Sequence, residues 1–357
     1  MARQIRKILV IKLRAIGDVV LSTAVLPDLR REFPAAVIHF LVEDAAFPIV
    51  DRHPSLDAAI RLPKKEWKTM PFWKSWIDQV RTVWTLRRTG YDLVIDLFGN
   101  PRSALLTWLT NAPMRVGYAF RGRRFAYTKK VEPRSDQVHE VEFHRDALRA
   151  LSIPVGGQGP SVPLKTSDVK RMDRWLHENG MNRSFLVGFH VWGGWEAKRW
   201  PLDRFADLAD RLGDAFDATV ILVWGPGERQ YAETVLKRTR TSAILAPETT
   251  LGEMAALLSR CRMVVANDSG PMHIAAALGT PTVGIFGPTQ WRLQGPYGAM
   301  HRIVACDGLV CLGCNRLSCS HLTCMKDLDV ERVFKTVRSV AGTVGPAHVR
   351  TKTGMAR

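Results

Sequence analysis

The chain has 357 residues, long for one hydrophobic core and ample for two domains. With 46% apolar and 24% charged residues it has the composition of an ordinary soluble globular protein, which excludes the disordered and fibrous classes. The net charge of +17 points to an anionic partner, and no apolar run approaches the length needed to span a bilayer.

Residues 7–12 (KILVIK) predict a buried strand, 19–33 has helical apolar spacing, and 36–42 predicts a second strand. The opening is basic and then apolar, as in a secretory signal. Lys12, Arg14 and Asp18 interrupt it, however, and no clean small-residue cleavage site follows, so a cytoplasmic chain is expected. The loop after the first strand, Leu13-Arg14-Ala15-Ile16-Gly17-Asp18, holds one Gly and no GxGxxG. The chain also lacks GxxxxGK[ST], so a P-loop is excluded and a dinucleotide fingerprint is unsupported. Asp18 stands at the start of a helix. It suits a helix cap equally with a general base aimed into a cleft, taking a proton from an acceptor hydroxyl. A helix N-terminus favours the ionised form of a carboxylate in either role.

Residues 77–89 predict a helix and 91–97 a third strand. Across 61–130 the chain carries 15 Lys and Arg against 4 Asp and Glu, together with Trp67, Trp73, Trp76, Trp84 and Trp108. Cations interleaved with Trp suit an anionic partner with an apolar part, such as a membrane surface or a phosphorylated lipid. Nucleic acid is the rival partner, and a solvated basic face is the plain alternative.

Segment 153–167 (IPVGGQGPSVPLKTS) has three Pro, three Gly and no periodicity, and is the best linker candidate. A helix at 168–179, a strand at 185–190, a helix at 202–212, a strand at 219–223, and helices at 228–238 and 251–259 follow. This alternation predicts an α/β fold of two doubly wound domains facing a central cleft, with ligands at the carboxyl ends of the strands. The domains are expected at 1–160 and 168–342, with a frayed basic tail at 343–357.

The turns after the second-half strands hold the chemistry. Strand 185–190 leads to Lys198, Arg199 and a Pro-initiated helix; two cations there suit a diphosphate leaving group or a solvated turn. The next strand ends in Trp224-Gly225-Pro226-Gly227-Glu228, where an acid suits a ribose hydroxyl pair or a plain helix start. Strand 263–266 leads into Asn267-Asp268-Ser269-Gly270-Pro271-Met272-His273, a short Ala-rich helix and the strand 282–286. Pro271 fits the first helical turn, and Asp268 or Ser269 can cap it. The amides of Ser269 and Gly270 then form a seat for a phosphate beside the positive dipole end, or simply a capped turn.

The set KLRAIGDVVLSTAVLPDLR, Arg115-Val116-Gly117-Tyr118, KRWP, GPGE, NDSGPMHIAAALGTPTVGIFGPT and the late Cys cluster resembles glycosyltransferase family 9, the ADP-heptose:lipopolysaccharide heptosyltransferases, over about residues 5–335. The resemblance implies a GT-B fold and an inverting transfer of heptose from ADP-heptose to a hydroxyl of the lipopolysaccharide inner core, with no cofactor required for catalysis. It implies Asp18 as the base and Lys198 as the donor-phosphate lysine, with Glu228, Asp268, Ser269, Gly270 and His273 binding the donor. Ser269 stands where a Thr is often seen. Arg14, Lys64, Arg115 and Arg121 are the expected cations for the Kdo/heptose-lipid A acceptor at the inner membrane surface, and no nucleic acid is expected. A family member using another sugar nucleotide or a protein acceptor is the alternative enzyme. A non-catalytic anion or nucleic-acid binder is the alternative outside enzymes.

Five of the six cysteines lie at Cys306, Cys311, Cys314, Cys319 and Cys324. In a cytosolic chain such a cluster suggests metal thiolates rather than disulfides. The family often carries a C-x2-C-x4-C-x4-C patch here, so a structural Zn or Fe at Cys311, Cys314, Cys319 and Cys324 is one expectation, with His321 as a substitute ligand. Packed reduced thiols are the other. Cys261 is expected in the core.

Overall fold

The computed structural model describes residues 5–181 and 185–343. The expected tail lies, beyond Thr343, outside the described residues. The chain forms two units. The first runs to Pro163 and takes in Arg292–Tyr297; the second starts at Leu164 and holds the remainder.

The first unit is built on β1 (Lys7–Ile11), β2 (Val37–Glu43), β3 (Ala58–Leu62), β4 (Leu93–Asp96), β5 (Met114–Tyr118) and β6 (Lys129–Val131). Their order is β3-β2-β1-β4-β5-β6, all parallel. β1 and β4 are apolar runs buried along nearly their whole length, as strands of a parallel sheet covered on both faces must be. Leu9, Ile11, Leu41 and Val94 face one side and pack with Trp67 and Leu86.

The longer helices of this unit are α1 (Ile16–Ser22), α2 (Leu26–Glu32), α3 (Phe72–Thr89), α4 (Pro101–Leu109) and α5 (Glu140–Arg149). The single helix expected over 19–33 is two, separated by a 3-10 turn at Thr23–Val25, with Pro27 in the first turn of α2. α3 begins five residues before the expected start. It ends at Gly90, whose φ of 66° supplies the left-handed C-cap.

Gly117 on β5 is held to glycine by packing. A Cβ there would lie 2.3 Å from Tyr127 Cε1. The Tyr127 hydroxyl donates to Asp96 Oδ2 at 2.7 Å, and the fully buried Asp96 also accepts the amides of Phe98 and Gly99. Gly117→Ala is therefore expected to destabilise the protein by about 1–3 kcal/mol through forced movement of the ring. Denaturant unfolding measures it; an unchanged midpoint would show that the ring yields freely.

The second unit repeats the topology. β7 (Phe185–His190), β8 (Ala218–Val223), β9 (Ala243–Leu245), β10 (Met263–Asn267), β11 (Thr282–Phe286) and β12 (Arg302–Ala305) lie in the order β12-β11-β10-β7-β8-β9. Its longer helices are α6 (Thr166–Glu178), α7 (Leu202–Phe216), α8 (Arg229–Arg238), α9 (Leu251–Arg260), α10 (Gly270–Ala277) and α11 (Val330–Thr343). Trp200 anchors the core beside Phe189 and Phe205, and its indole N–H donates to the Leu328 carbonyl at 2.8 Å. Cys261 is buried, which pushes its thiol up to about 12.

Each sheet reverses strand order once, between β1 and β4 and between β7 and β10. Ile11 lies opposite Asp96, and Ala266 opposite His190. The loops leaving these paired strand ends are where ligands of doubly wound sheets sit.

Candidate active site

In the first unit Lys12 follows β1 and is 4% exposed. Its Nζ lies 3.0 Å from Glu140 Oε1 and 3.7 Å from Asp18 Oδ2. Burial pulls the ammonium down, but Glu140, then Asp18 and Asp96, outweigh it and hold the Lys12 pKa above the ordinary range. His144 Nε2 lies 3.5 Å from Glu140 Oε1. Burial, and then the Lys12 charge, push its pKa well below the usual value, so it is a neutral neighbour rather than an ion-pair partner.

Asp18 does not cap α1. The N-cap is Ala15, and Asp18 lies in the first turn with its side chain 40% exposed. A cavity of about 180 Å³ is lined by Asp18, Ser135, Glu140, Phe143, Leu293 and Gln294, all of this unit. Two carboxylates thus face one cavity with a single buried cation behind both.

The four cations expected for an acceptor do not gather there as a group. Arg14 and Arg121 are exposed. Lys64 is bonded to both oxygens of Glu43 at 3.1 Å, beside Arg102 at 2.9 Å. Arg115 donates to the carbonyls of Ala112 and Ala126, which ties its guanidinium to the backbone.

In the second unit the turn after β10 differs from its expected form. Ser269 is the N-cap residue of α10, yet no side chain caps the helix. Asp268 turns instead to Lys198, 2.6 Å away, and accepts from Thr289 Oγ1 at 2.8 Å. Ser269 Oγ bonds His190 Nδ1 at 3.0 Å, and His190 Nε2 bonds Glu228 Oε2 at 3.0 Å. A cation and an imidazole delivered from the β7 side compete for these side chains, and the α10 amides are left without a side-chain cap. Asn267 braces the turn, donating to the Val191 carbonyl and accepting from the Trp200 amide.

Glu228 also accepts the Gly225 amide at 2.7 Å, so both bonds fall on Oε2. Burial pushes this carboxyl up, but the bond and charge of His190, the Gly225 amide and Arg199 hold it below the ordinary range. Lys198 sits 4.2 Å from the Trp195 ring centroid; Arg199 stacks on Trp192, which stacks in turn on Tyr231. His273 is buried on α10.

Ser269 and Glu228 thus meet at His190, and Lys198 meets Asp268, so that both groups flank the turn that leads into Gly270 and α10. Sequence reasoning missed His190, Thr289, Lys12 and Glu140. His190 and Lys12 were visible as polar residues at the ends of apolar strands, whereas nothing local marked Thr289 or Glu140.

The cysteine segment is free of disulfides. Burial, and then the nearby thiols of Cys311, Cys314 and Cys319, push Cys324 up to about 11. The amides of Leu322 and His321 lower Cys319. Among the described residues no three His, Cys, Asp or Glu side chains converge closely enough to hold a metal ion, and His321 bonds Thr323.

Comparison with known proteins bears on these sites. The sequence pattern of glycosyltransferase family 9 (heptosyltransferase) matches residues 80–324. Lipopolysaccharide heptosyltransferase 1 of Pseudomonas aeruginosa is 28% identical over 329 residues, 88% of each chain. A crystal structure of a family 9 glycosyl transferase from Veillonella parvula has a TM-score of 0.86 at 24% identity, covering 96% of this chain and 99% of that one. The E. coli heptosyltransferase WaaC with ADP has a TM-score of 0.74 at 22% identity, covering 94% and 99%. The two structures show the fold, an α/β architecture of the GT-B class.

Proposed function

This chain belongs to glycosyltransferase family 9, the heptosyltransferases, and from that premise we propose that it transfers heptose from ADP-heptose to a hydroxyl of the lipopolysaccharide inner core. The observation that carries the donor half of this reading is the Lys198–Asp268 pair beside the α10 N-terminus, which no side chain caps. An ADP diphosphate seated there would meet the Ser269 and Gly270 amides, the positive dipole end and the Lys198 ammonium. Glu228 Oε1 would meet a ribose hydroxyl, with Oε2 held by His190 and Gly225. Relatives named as lipopolysaccharide heptosyltransferases and a neighbour solved with ADP support this assignment.

In the proposed step Asp18 removes the proton of the acceptor hydroxyl. That oxygen bonds the anomeric carbon from the face opposite the nucleotide. The bond from the anomeric carbon to the diphosphate oxygen breaks, and its electron pair leaves with ADP, where Lys198 and the amides stabilise the charge. The anomeric centre is inverted, and the proton ends on Asp18.

Calorimetry with ADP-heptose, UDP-glucose and GDP-mannose tests the donor. Preference for the ADP sugar is expected, and preference for UDP or GDP overturns the heptose assignment. A coupled assay on defined truncated cores identifies the acceptor hydroxyl. Among the described residues no helix is long and apolar enough to cross a membrane. The proposed acceptor, Kdo/heptose-lipid A, brings the enzyme to the inner face of the cytoplasmic membrane as a peripheral protein.

For the cysteine segment the proposal is a structural Zn or Fe ion at Cys311, Cys314, Cys319 and Cys324. It is supported by the nearness of the Cys311, Cys314 and Cys319 thiols to Cys324 and by the amides directed at Cys319, and opposed by the lack of convergence of the side chains. Elemental analysis tests it. Stoichiometric metal, lost in Cys319→Ser, is the expected result; metal-free active protein overturns it.

A further inference from the structure

We propose that the outer face of α3 is a docking surface for an anionic lipid bilayer. The helix is amphipathic in the inverted sense. Its inward side is mostly polar: Ser75 is buried with Leu86, Gln79 donates to Ser75 Oγ, and Asp78 accepts the Trp67 indole N–H at 2.6 Å. Its outward side is largely apolar, with Phe72 84% exposed, Trp73 59%, Trp76 58% and Trp84 56%, and it also carries the exposed Arg87. Ile77 and Val80 are exposed beside them. At 3.6 residues per turn these six apolar side chains fall within an arc of about 140°.

The charges on this face identify the occupant. Lys74, Arg81 and Arg88 follow one another along one flank of the arc, and all are exposed. The Lys74 ammonium lies 5.2 Å from the Trp73 ring centroid and the Arg88 guanidinium 4.9 Å from that of Trp84. The helix has one acid, Asp78, and it is turned inward to Trp67. Trp side chains beside unopposed cations match the boundary between anionic headgroups and acyl chains, where indoles sit at headgroup depth and cations meet phosphates. A core-forming partner protein would instead favour a patch depleted of charge at its centre and rim polarity of both signs. The surrounding segment, 61–130, carries the same bias of 15 cations to 4 acids.

The proposal deepens the reading of a lipid-anchored acceptor, and its test is a binding measurement that stands whether or not that reading holds. The full-length protein is mixed with vesicles of phosphatidylglycerol and phosphatidylethanolamine, or of phosphatidylcholine alone, and partition is followed by flotation and Trp fluorescence. Binding to the anionic vesicles with a blue shift is expected, with weaker binding to the zwitterionic ones and at high salt. A Trp76→Glu/Trp84→Glu variant is expected to lose about tenfold or more of that partition, with its unfolding midpoint and its ADP affinity unchanged. A Lys74→Glu/Arg81→Glu/Arg88→Glu variant is expected to lose the preference for anionic lipid. Undiminished partition of the Trp variant overturns the proposal. So does a wild-type chain that ignores vesicles but self-associates in ultracentrifugation through these tryptophans, since a second copy would then be the occupant.

Discussion

Asp18→Asn is expected to lower turnover by about a hundred- to ten-thousandfold while leaving ADP affinity unchanged. The substitution keeps the size of the side chain and removes its negative charge, and with that charge the ability to take a proton. Two carboxylates face the cavity of the first unit, and their surroundings separate them. Glu140 is held 3.0 Å from Lys12 with its side chain 15% exposed. Asp18 is 3.7 Å from the same ammonium and 40% exposed, so it has the room to receive an acceptor hydroxyl. Glu140→Gln is accordingly expected to cost less activity than Asp18→Asn, and to act through a loosened Lys12. Equal losses in the two variants would reassign the base to Glu140. Wild-type turnover in Asp18→Asn would remove the general-base step altogether.

Lys198→Ala is expected to lower kcat/KM by about a hundred- to a thousandfold, the loss typical of removing a preorganised group from developing charge, and to weaken ADP binding as well. The ammonium is largely buried between Asp268 and the Trp195 ring, so its position is set before any nucleotide arrives. Removing it leaves Asp268 held by the Thr289 hydroxyl, an acid without its cation beside the phosphate seat. Breaking such a buried pair also costs stability, about 3–5 kcal/mol, so the unfolding midpoint must be measured alongside the kinetics. Lys198→Arg keeps the charge and separates the two effects: restored stability without restored kcat/KM is the signature of a positional requirement. Full activity in Lys198→Ala would show that the donor diphosphate is neutralised elsewhere.

The α/β alternation was legible because each long element carries its own period. The strands β7, β10 and β11 were predicted to within a residue, as short apolar runs bounded by turn residues. β3, β5, β6, β9 and β12 were not, since AAIRL, MRVGY, KKV, AIL and RIVA are brief or mixed in polarity and become strands by pairing with a longer neighbour. The Asp268–Ser269 turn was located, but the side-chain cap expected there is absent. Side-chain capping is the default for Asp and Ser at such a position, but Lys198 and His190 recruit both groups away.

The sequence by itself determined the class of fold, the order of its elements and the family, because strand and helix periods and the spacing within a turn are local properties of the chain. It also placed Asp18, Lys198, Asp268 and Glu228 at strand ends. Only the tertiary structure decided what these groups face. Lys12 meets Glu140 across 128 residues because α5 packs against α1, and His190 joins Ser269 to Glu228 because strand order sets β7 between β10 and β8. The assignment of Arg292–Tyr297 to the first unit and the outward turn of the α3 tryptophans have the same origin. A helical pattern states which residues share a face, and only packing decides which face is left to the solvent.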